Sequence, residues 1–296
     1  MGTPSGPAPL AEEAPLAGAP GLAQKASIIE DLVGDGTSPV AVFLLAPGED
    51  ATPFADFQPL QRHRYCQAIM RARHGASVIL DGHGLSCPAA AAAFGFRPLP
   101  QALASGRGLV GFGIVADPAV GKAMFEGMPR LPAGSIAHLA LCPLGLAPRL
   151  PDVVVVEGPV EPLMWLALAD LNVHGGKRRT GETAILQAAC VDATIVPQRE
   201  QRLNFALGCY GCREATDLAP GETVVGFPGS LLDPLVPALS MLTAKAVGRS
   251  RSKAVYALLM GRGKQAGDGS LAEGDAAEVD GANPFQEPAL TSWGAP

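Results

Sequence analysis

Six cysteines are the residues of this 296-residue chain best suited to metal or redox chemistry. Four of them fall in two distant segments with one shared order: a cysteine in an apolar stretch, a short predicted strand, then a cysteine in a turn. Cys66 and Cys87 form the first pair, and Cys190 and Cys209 form the second. Thiolates bind metals, and four of them suit an iron–sulfur cluster or a structural zinc ion. We therefore expect these four sulfurs to meet at one site.

The second cysteine of each pair is predicted to lie where a strand gives way to a helix. Free backbone N–H groups and the positive end of the helix dipole meet there, so a lowered thiol pKa is expected for Cys87 and Cys209. Cys212 follows Cys209 in a Cys-x-x-Cys pair and would supply a further ligand or a dithiol redox pair. Arg213 is predicted to place positive charge nearby. His83, on the loop before Cys87, is predicted to orient a ligand or carry protons.

Core packing is the competing interpretation for each cysteine, because free cysteine is among the most buried residue types. Cys142, within Leu-Ala-Leu-Cys-Pro-Leu, is predicted to be a core residue. Cys190, within Ala-Ala-Cys-Val, has a local context that is also more typical of a core. The glycine-flanked turns at Cys87 and Cys209 favour a functional role for those two residues.

Motifs for nucleotide or nucleic-acid binding are not found in the sequence. Gly106, Gly108 and Gly111 have G-x-G-x-x-G spacing, but they neither follow a strong predicted strand nor open a clear helix, so we reject a dinucleotide site. The net charge of −6 comes from acidic ends around a nearly neutral body. Such a body lacks the concentrated basic face that nucleic-acid binding requires.

The predicted strands and helices that position the cysteines indicate an α/β fold, with a mixed sheet or sheets flanked by helices. Short strands alternate with helices over residues 25–262, which are expected to form one domain. Residues 1–24 are rich in proline and alanine, residues 263–296 are acidic, and both are predicted to be disordered tails. The repeated order of elements suggests two related α–β–Cys halves, near 60–100 and 184–220, around one site.

Neither a secretory signal nor a membrane-spanning segment is predicted. The first basic residue is Lys25, and the longest apolar helical stretch, 159–171, contains Glu161 and Asp170. We therefore expect a cytoplasmic protein without membrane insertion. In that compartment six cysteines are expected to be reduced thiols rather than disulfides.

Several short motifs around the cysteines occur together, and in combination they are fairly specific. They are Tyr65-Cys66, Ser86-Cys87-Pro88 and Gly208-Cys209-Tyr210-Gly211-Cys212-Arg213-Glu214-Ala215, with Pro39-Val40-Ala41-Val42 and Val225-Gly226-Phe227-Pro228. Over residues 25–245 the chain resembles the family catalogued as domain of unknown function 169. The resemblance implies a prokaryotic cytosolic protein, prominent among anaerobes, with family-type positions at the four paired cysteines. Ala89-Ala90 stand where that family is expected to have glycines, and Cys212 where it is expected to have serine.

Three functions are compatible with these cysteines. The first, which we favour, is an iron–sulfur protein with a 4Fe–4S cluster that exchanges electrons with a redox partner protein or binds a small-molecule substrate at an open iron. The second is a non-enzymatic carrier or sensor, with zinc as the alternative metal. The third is a thiol-dependent enzyme in which Cys209 is the nucleophile and Arg213 lowers its pKa.

Overall fold

The computed structural model describes residues 21–34, 38–175 and 186–244, and these form an α/β structure with one seven-stranded mixed sheet, as predicted. The strands are β1 (Val40–Leu45), β2 (Gln58–Pro59), β3 (Val78–Asp81), β4 (His138–Pro143), β5 (Val153–Pro159), β6 (Asn204–Ala206) and β7 (Glu222–Pro228). The α-helices are α1 (Leu22–Val33), α2 (Tyr65–Arg73), α3 (Pro88–Ala93), α4 (Gln101–Ala104), α5 (Arg107–Gly111), α6 (Pro118–Gly127), α7 (Val160–His174), α8 (Val196–Glu200), α9 (Tyr210–Ala215) and α10 (Leu232–Leu242). A π-helix, Ala188–Ile195, precedes α8. None of these described helices is both long and apolar enough to cross a bilayer.

Helices cover both faces of the sheet. The strand order is β2-β3-β4-β1-β5-β7-β6, and every neighbouring pair is antiparallel except β2 with β3. Helices α2, α3 and α9 and the π-helix pack on one face, and α1, α7 and α10 pack on the other. Strand β1 is consequently buried at all six positions, which explains its continuous run of apolar residues.

Six of the strands are arranged symmetrically about a line between β1 and β5. Going outward from this line, the order is β1-β4-β3 on one side and β5-β7-β6 on the other. Along the chain, β1-α2-β3-α3-β4 in one half corresponds to β5, the π-helix, β6, α9 and β7 in the other. Because β1 and β5 are antiparallel, a rotation of half a turn about an axis through the sheet relates the halves. The two predicted α–β–Cys units thus occupy equivalent places on one face of the sheet. Each half of the structure also includes a central strand, β1 or β5, which lies outside the predicted unit.

The π-helix packs between α2 and strand β7 of the sheet. All eight of its residues are buried. The Thr194 hydroxyl donates to the carbonyl of Ala189 at 2.7 Å and lies 2.9 Å from the hydroxyl of Tyr65 on α2. Beneath it, Gly226 on β7 leaves room for the helix, because a Cβ at that position would lie 1.8 Å from the carbonyl oxygen of Ala193. A glycine in the strand therefore sets how closely the π-helix approaches the sheet.

Some predicted boundaries differ from the structure. Helix α1 begins at Leu22, inside the predicted N-terminal tail, whereas residues 1–20 and 263–296 lie outside the described residues. The N-cap of helix α3 is Cys87. The reason is Pro88, which is preorganised for the first helical position and so makes the residue before it the N-cap.

A buried ion cluster joins α2 of the first half to Glu157 on β5 and to Asp217 and Glu222 of the second half. Arg73 is 4% exposed, and its guanidinium lies 3.3 Å from Glu157 and 2.5 Å from Asp217. Burial raises the pKa of Glu157 to about 7; the Arg73 charge opposes this shift, and the carboxylates of Asp217 and Glu222 add to it. Glu157 is therefore a buried carboxyl group that takes up its proton near neutral pH.

Replacing Glu157 by glutamine should change how stability depends on pH. A carboxyl pKa raised in the folded state contributes stability that is complete below the ordinary value of 4.5 and is lost as pH rises through about 7. We expect the wild-type free energy of unfolding, relative to that of Glu157→Gln, to fall by about 3 kcal/mol over that range. Urea unfolding at a series of pH values measures this. The exposed variant Glu214→Gln is the control, and parallel curves for wild type and Glu157→Gln would contradict the expectation.

Candidate functional site

Five of the six cysteines line one cavity of about 480 Å³ on the face covered by α2, α3, α9 and the π-helix. They are Cys66, Cys87, Cys190, Cys209 and Cys212. The halves contribute equivalent pairs: Cys66 in α2 corresponds to Cys190 in the π-helix, and Cys87, the N-cap of α3, corresponds to Cys209, the N-cap of α9. Two segments that are far apart in the chain therefore bring their thiols together across the symmetry axis.

Cys209 and Cys212 are the most closely spaced thiols. Their sulfurs are 3.1 Å apart, and the Cys212 N–H donates to the Cys209 sulfur at 3.3 Å. The turn before Cys209 requires glycine, since Gly208 has a φ of +80° and a Cβ there would lie 2.6 Å from the side chain of Leu218. Cys212 also neighbours Cys66, so α9 connects thiols from both halves.

Backbone N–H groups at the start of the π-helix lie close to these sulfurs. The first amides of a helix have no partner within it. Here the N–H of Ala188 lies near the sulfur of Cys209 and that of Ala189 near the sulfur of Cys212, and each opposes the rise in the pKa of that thiol. Such donors stabilise negative charge on sulfur, and hydrogen bonds to cysteine sulfurs are one of the factors that set the potential of an iron–sulfur cluster.

The prediction of a lowered pKa is wrong for Cys209. Its hydrogen bond with Cys212 and its burial raise the pKa of Cys209 above the usual range, despite amide donors from Ala188 and Cys212. The pKa of Cys212 is raised to about 12; the bond to Cys209 lowers it, but the contact with Cys66 and burial raise it by more. Burial and the neighbouring thiols likewise raise the pKa of Cys190. A bound cation would be needed to hold this group of thiols as thiolates.

Two residues predicted for the site lie outside the cavity. The Arg213 guanidinium donates to three carbonyls, those of Leu207 at 2.5 Å and of Ala219 and Glu222 at 2.8 Å, so it stabilises the loop instead of facing the thiols. His83 is exposed on a turn in which its own N–H donates to Asp81 at 2.9 Å. Neither residue lines the cavity.

Arg64 and Glu214 line the cavity instead, and sequence reasoning missed both. The Arg64 guanidinium donates to the carbonyl of Gly211 at 3.0 Å and lies 3.5 Å from the Glu214 carboxylate. Both side chains are partly exposed, and Tyr210 beside them is 66% exposed. The position of Arg64 directly before Tyr65-Cys66 is the one sequence signal that could have indicated a role.

The sixth cysteine is separate from the site. Cys142 lies on β4 in the core of the opposite face and has no exposed surface, which confirms its predicted core position. Burial raises its pKa to about 12.

Part of the cavity wall is apolar. Helices α4–α6 and the residues around them provide Leu103, Leu109, Phe112, Ile114 and Phe125, and Leu186, just before the π-helix, adds to this wall. Leu103, Leu109, Phe125 and Leu186 belong to a hydrophobic cluster separate from the one that contains the five thiols. Within the described part of the chain, no three His, Cys, Asp or Glu side chains are grouped closely enough to hold one metal ion.

Comparison with known proteins confirms the family resemblance that the motifs around the cysteines indicated. A relative from Methanocaldococcus jannaschii, itself described as uncharacterised, is 30% identical over 184 residues, which cover 60% of this chain and 77% of that protein. No solved structure gives a significant match. The model of the family described as uncharacterised ArCR, domain of unknown function 169, matches residues 28–238, a range that includes all five cavity cysteines. The chain therefore belongs to the domain of unknown function 169 family.

Proposed function

We propose that the cavity binds an iron–sulfur cluster, most simply of the 4Fe–4S type, and that the protein transfers electrons through it. One observation carries the proposal: five thiols from two distant segments converge on a single cavity, while the sixth is packed elsewhere. Core packing alone would not gather them, because the apolar residues around them fill a core equally well. Four thiolates are the usual ligand set of such a cluster.

The size of the cavity favours a cluster over a single ion. A structural zinc site closes four ligands around the ion at about 2.0–2.3 Å and leaves no void between them. The thiols here surround part of a cavity of about 480 Å³. A cluster of several irons and sulfides separates its ligand sulfurs more widely than one ion does, and thus fits this arrangement better.

The two symmetric pairs are the ligands in this proposal. Cys66, Cys87, Cys190 and Cys209 approach from both halves, which suits a cluster with nearly equivalent corners. Cys212 stands where the other half has Ala90, and it would supplement or replace Cys209. Amide donors from Ala188 and Ala189 would stabilise the bound thiolates and make the cluster easier to reduce.

Electrons would enter and leave near Cys87, which is the most accessible of the five thiols. Tyr210 and Phe112 are 66% and 74% exposed and line the same cavity. A redox partner protein would contact this surface and give or accept one electron at a time. A reducing cytoplasm is the compartment in which six free thiols are maintained, and we place the protein there.

A second candidate function rests on the separation of 3.1 Å between the sulfurs of Cys209 and Cys212. Two thiols this close can form a disulfide, with two electrons and two protons passing to an oxidised acceptor such as another disulfide. Burial and the raised pKa of Cys209 make it a poor attacking thiolate, so we rank this function second.

Elemental analysis of protein purified without air tests the proposal. After incubation with iron and sulfide, we expect about four irons and four sulfides per chain and a brown absorbance that bleaches on reduction. About one zinc per chain without colour would favour the carrier or sensor. A colourless protein that binds neither metal, with a reversible disulfide between Cys209 and Cys212, would favour the dithiol function.

A further inference from the structure

A buried amide group lines the cavity between Leu186 of the apolar wall and the π-helix that carries Cys190. Gln187 is 7% exposed, precedes the π-helix and lines the cavity. Its Nε2 donates to the carbonyl of Ala89 at 2.7 Å, which fixes the orientation of the amide. Its Oε1 is buried and has no hydrogen-bond partner among the described residues. A buried acceptor without a donor is unfavourable, and a bound molecule whose donor reached this atom from the cavity would remove that cost.

The surroundings of Gln187 define what that molecule must be. The apolar wall includes the buried Leu109 and Phe125 and the exposed Phe112, and contact with these side chains favours a flat hydrocarbon or aromatic body. A volume of about 480 Å³ is within the range of small-molecule pockets.

We propose that the apolar wall of the cavity and Gln187 bind a small aromatic or similarly flat organic molecule that donates one O–H or N–H hydrogen bond to Oε1 of Gln187. That this molecule lies beside a cluster and exchanges electrons with it rests on the proposed function. The binding itself requires only Gln187 and the apolar wall.

Two probes that differ in one hydrogen-bond donor test the proposal. 2-Naphthol can donate to Gln187, and 2-methoxynaphthalene cannot. We expect the full-length protein to bind 2-naphthol about tenfold more tightly, because the unpaired acceptor is satisfied by one probe only. Equilibrium dialysis, with and without prior incubation with iron and sulfide, measures both dissociation constants.

Matched variants assign the preference to one atom. Gln187→Met removes the acceptor at similar volume and should abolish the preference for 2-naphthol. Gln198→Met is the control, because Gln198 also has an unpartnered Oε1 but does not line the cavity. If Gln187→Met does not fold, Phe112→Ala replaces it: this residue is 74% exposed, and its loss should weaken both probes equally without affecting the fold.

The outcomes separate this proposal from the cluster. Equal binding of the two probes to the wild type, no binding of either, or a preference that persists in Gln187→Met would overturn the ligand site. A preference that depends on Gln187 in protein that takes up no iron would support the ligand site and remove the cluster. Iron uptake without discrimination between the probes would do the reverse.

Discussion

Cys190→Ala should lose its iron, whereas Cys142→Ala should retain it. Both cysteines are buried, at 6% and 0% exposure, and both substitutions remove one sulfur from a packed environment. Only Cys190 lines the cavity, between Cys87, Cys209 and Cys212. Loss of a ligand should reduce iron affinity by more than the 10–100-fold typical of residues that merely support a metal site. Iron and sulfide per chain after reconstitution without air measure the effect.

Measuring the free energy of unfolding of both variants separates the loss of a ligand from a loss of folding. Each variant removes a buried sulfur, so both should lower the free energy of unfolding of the metal-free protein by roughly 1–3 kcal/mol. Equal iron retention in two folded variants would mean that Cys190 is a core residue, as its Ala-Ala-Cys-Val context alone suggests. Equal iron loss in both variants would mean that iron binding depends on the packing of the core rather than on ligation by Cys190.

Gly226→Ala should displace the π-helix and thereby impair the site. The added Cβ would lie 1.8 Å from the carbonyl oxygen of Ala193, and because the obstacle is backbone, no side-chain rotation relieves the clash. The helix must move away from β7, together with Cys190 and the amides of Ala188 and Ala189. We expect a loss of about 1–3 kcal/mol in the free energy of unfolding, and weaker iron binding.

The control for this substitution is Gly221→Ala, just before β7, where a Cβ would meet nothing within 4 Å. Thermal unfolding and iron content should be close to wild type in Gly221→Ala and reduced in Gly226→Ala. If both variants behaved alike, the close packing of the π-helix on the sheet would not be what positions Cys190.

The convergence of the cysteines was predictable because Cys87 and Cys209 each have a local signal. Glycine or proline next to Cys87 and Cys209 indicates a strand-to-helix turn, and the repeated order of elements suggests that the two turns are equivalent. Antiparallel pairing of β1 with β5 then brings them together. Local context also predicts the burial of Cys142 within an apolar strand.

Properties that depend on neighbours in space were not predictable. The pKa of Cys209 is raised by Cys212 and by burial, effects that a cap position does not reveal. Arg213 follows Cys212 in sequence, yet its guanidinium is occupied by three loop carbonyls. The π-helix depends on Tyr65, a residue from the other half, which contacts Thr194. Gln187 belongs to no motif, and only the folded cavity shows that its Oε1 lacks a donor.

Locating iron in crystals of the reconstituted protein, by anomalous diffraction at the iron absorption edge, tests the central claim most directly. We predict anomalous density inside the cavity, bonded to the sulfurs of Cys66, Cys87 and Cys190 and to Cys209 or its neighbour Cys212. Iron found only at surface histidines or carboxylates, with the five thiols unmodified around an iron-free cavity, would contradict the account.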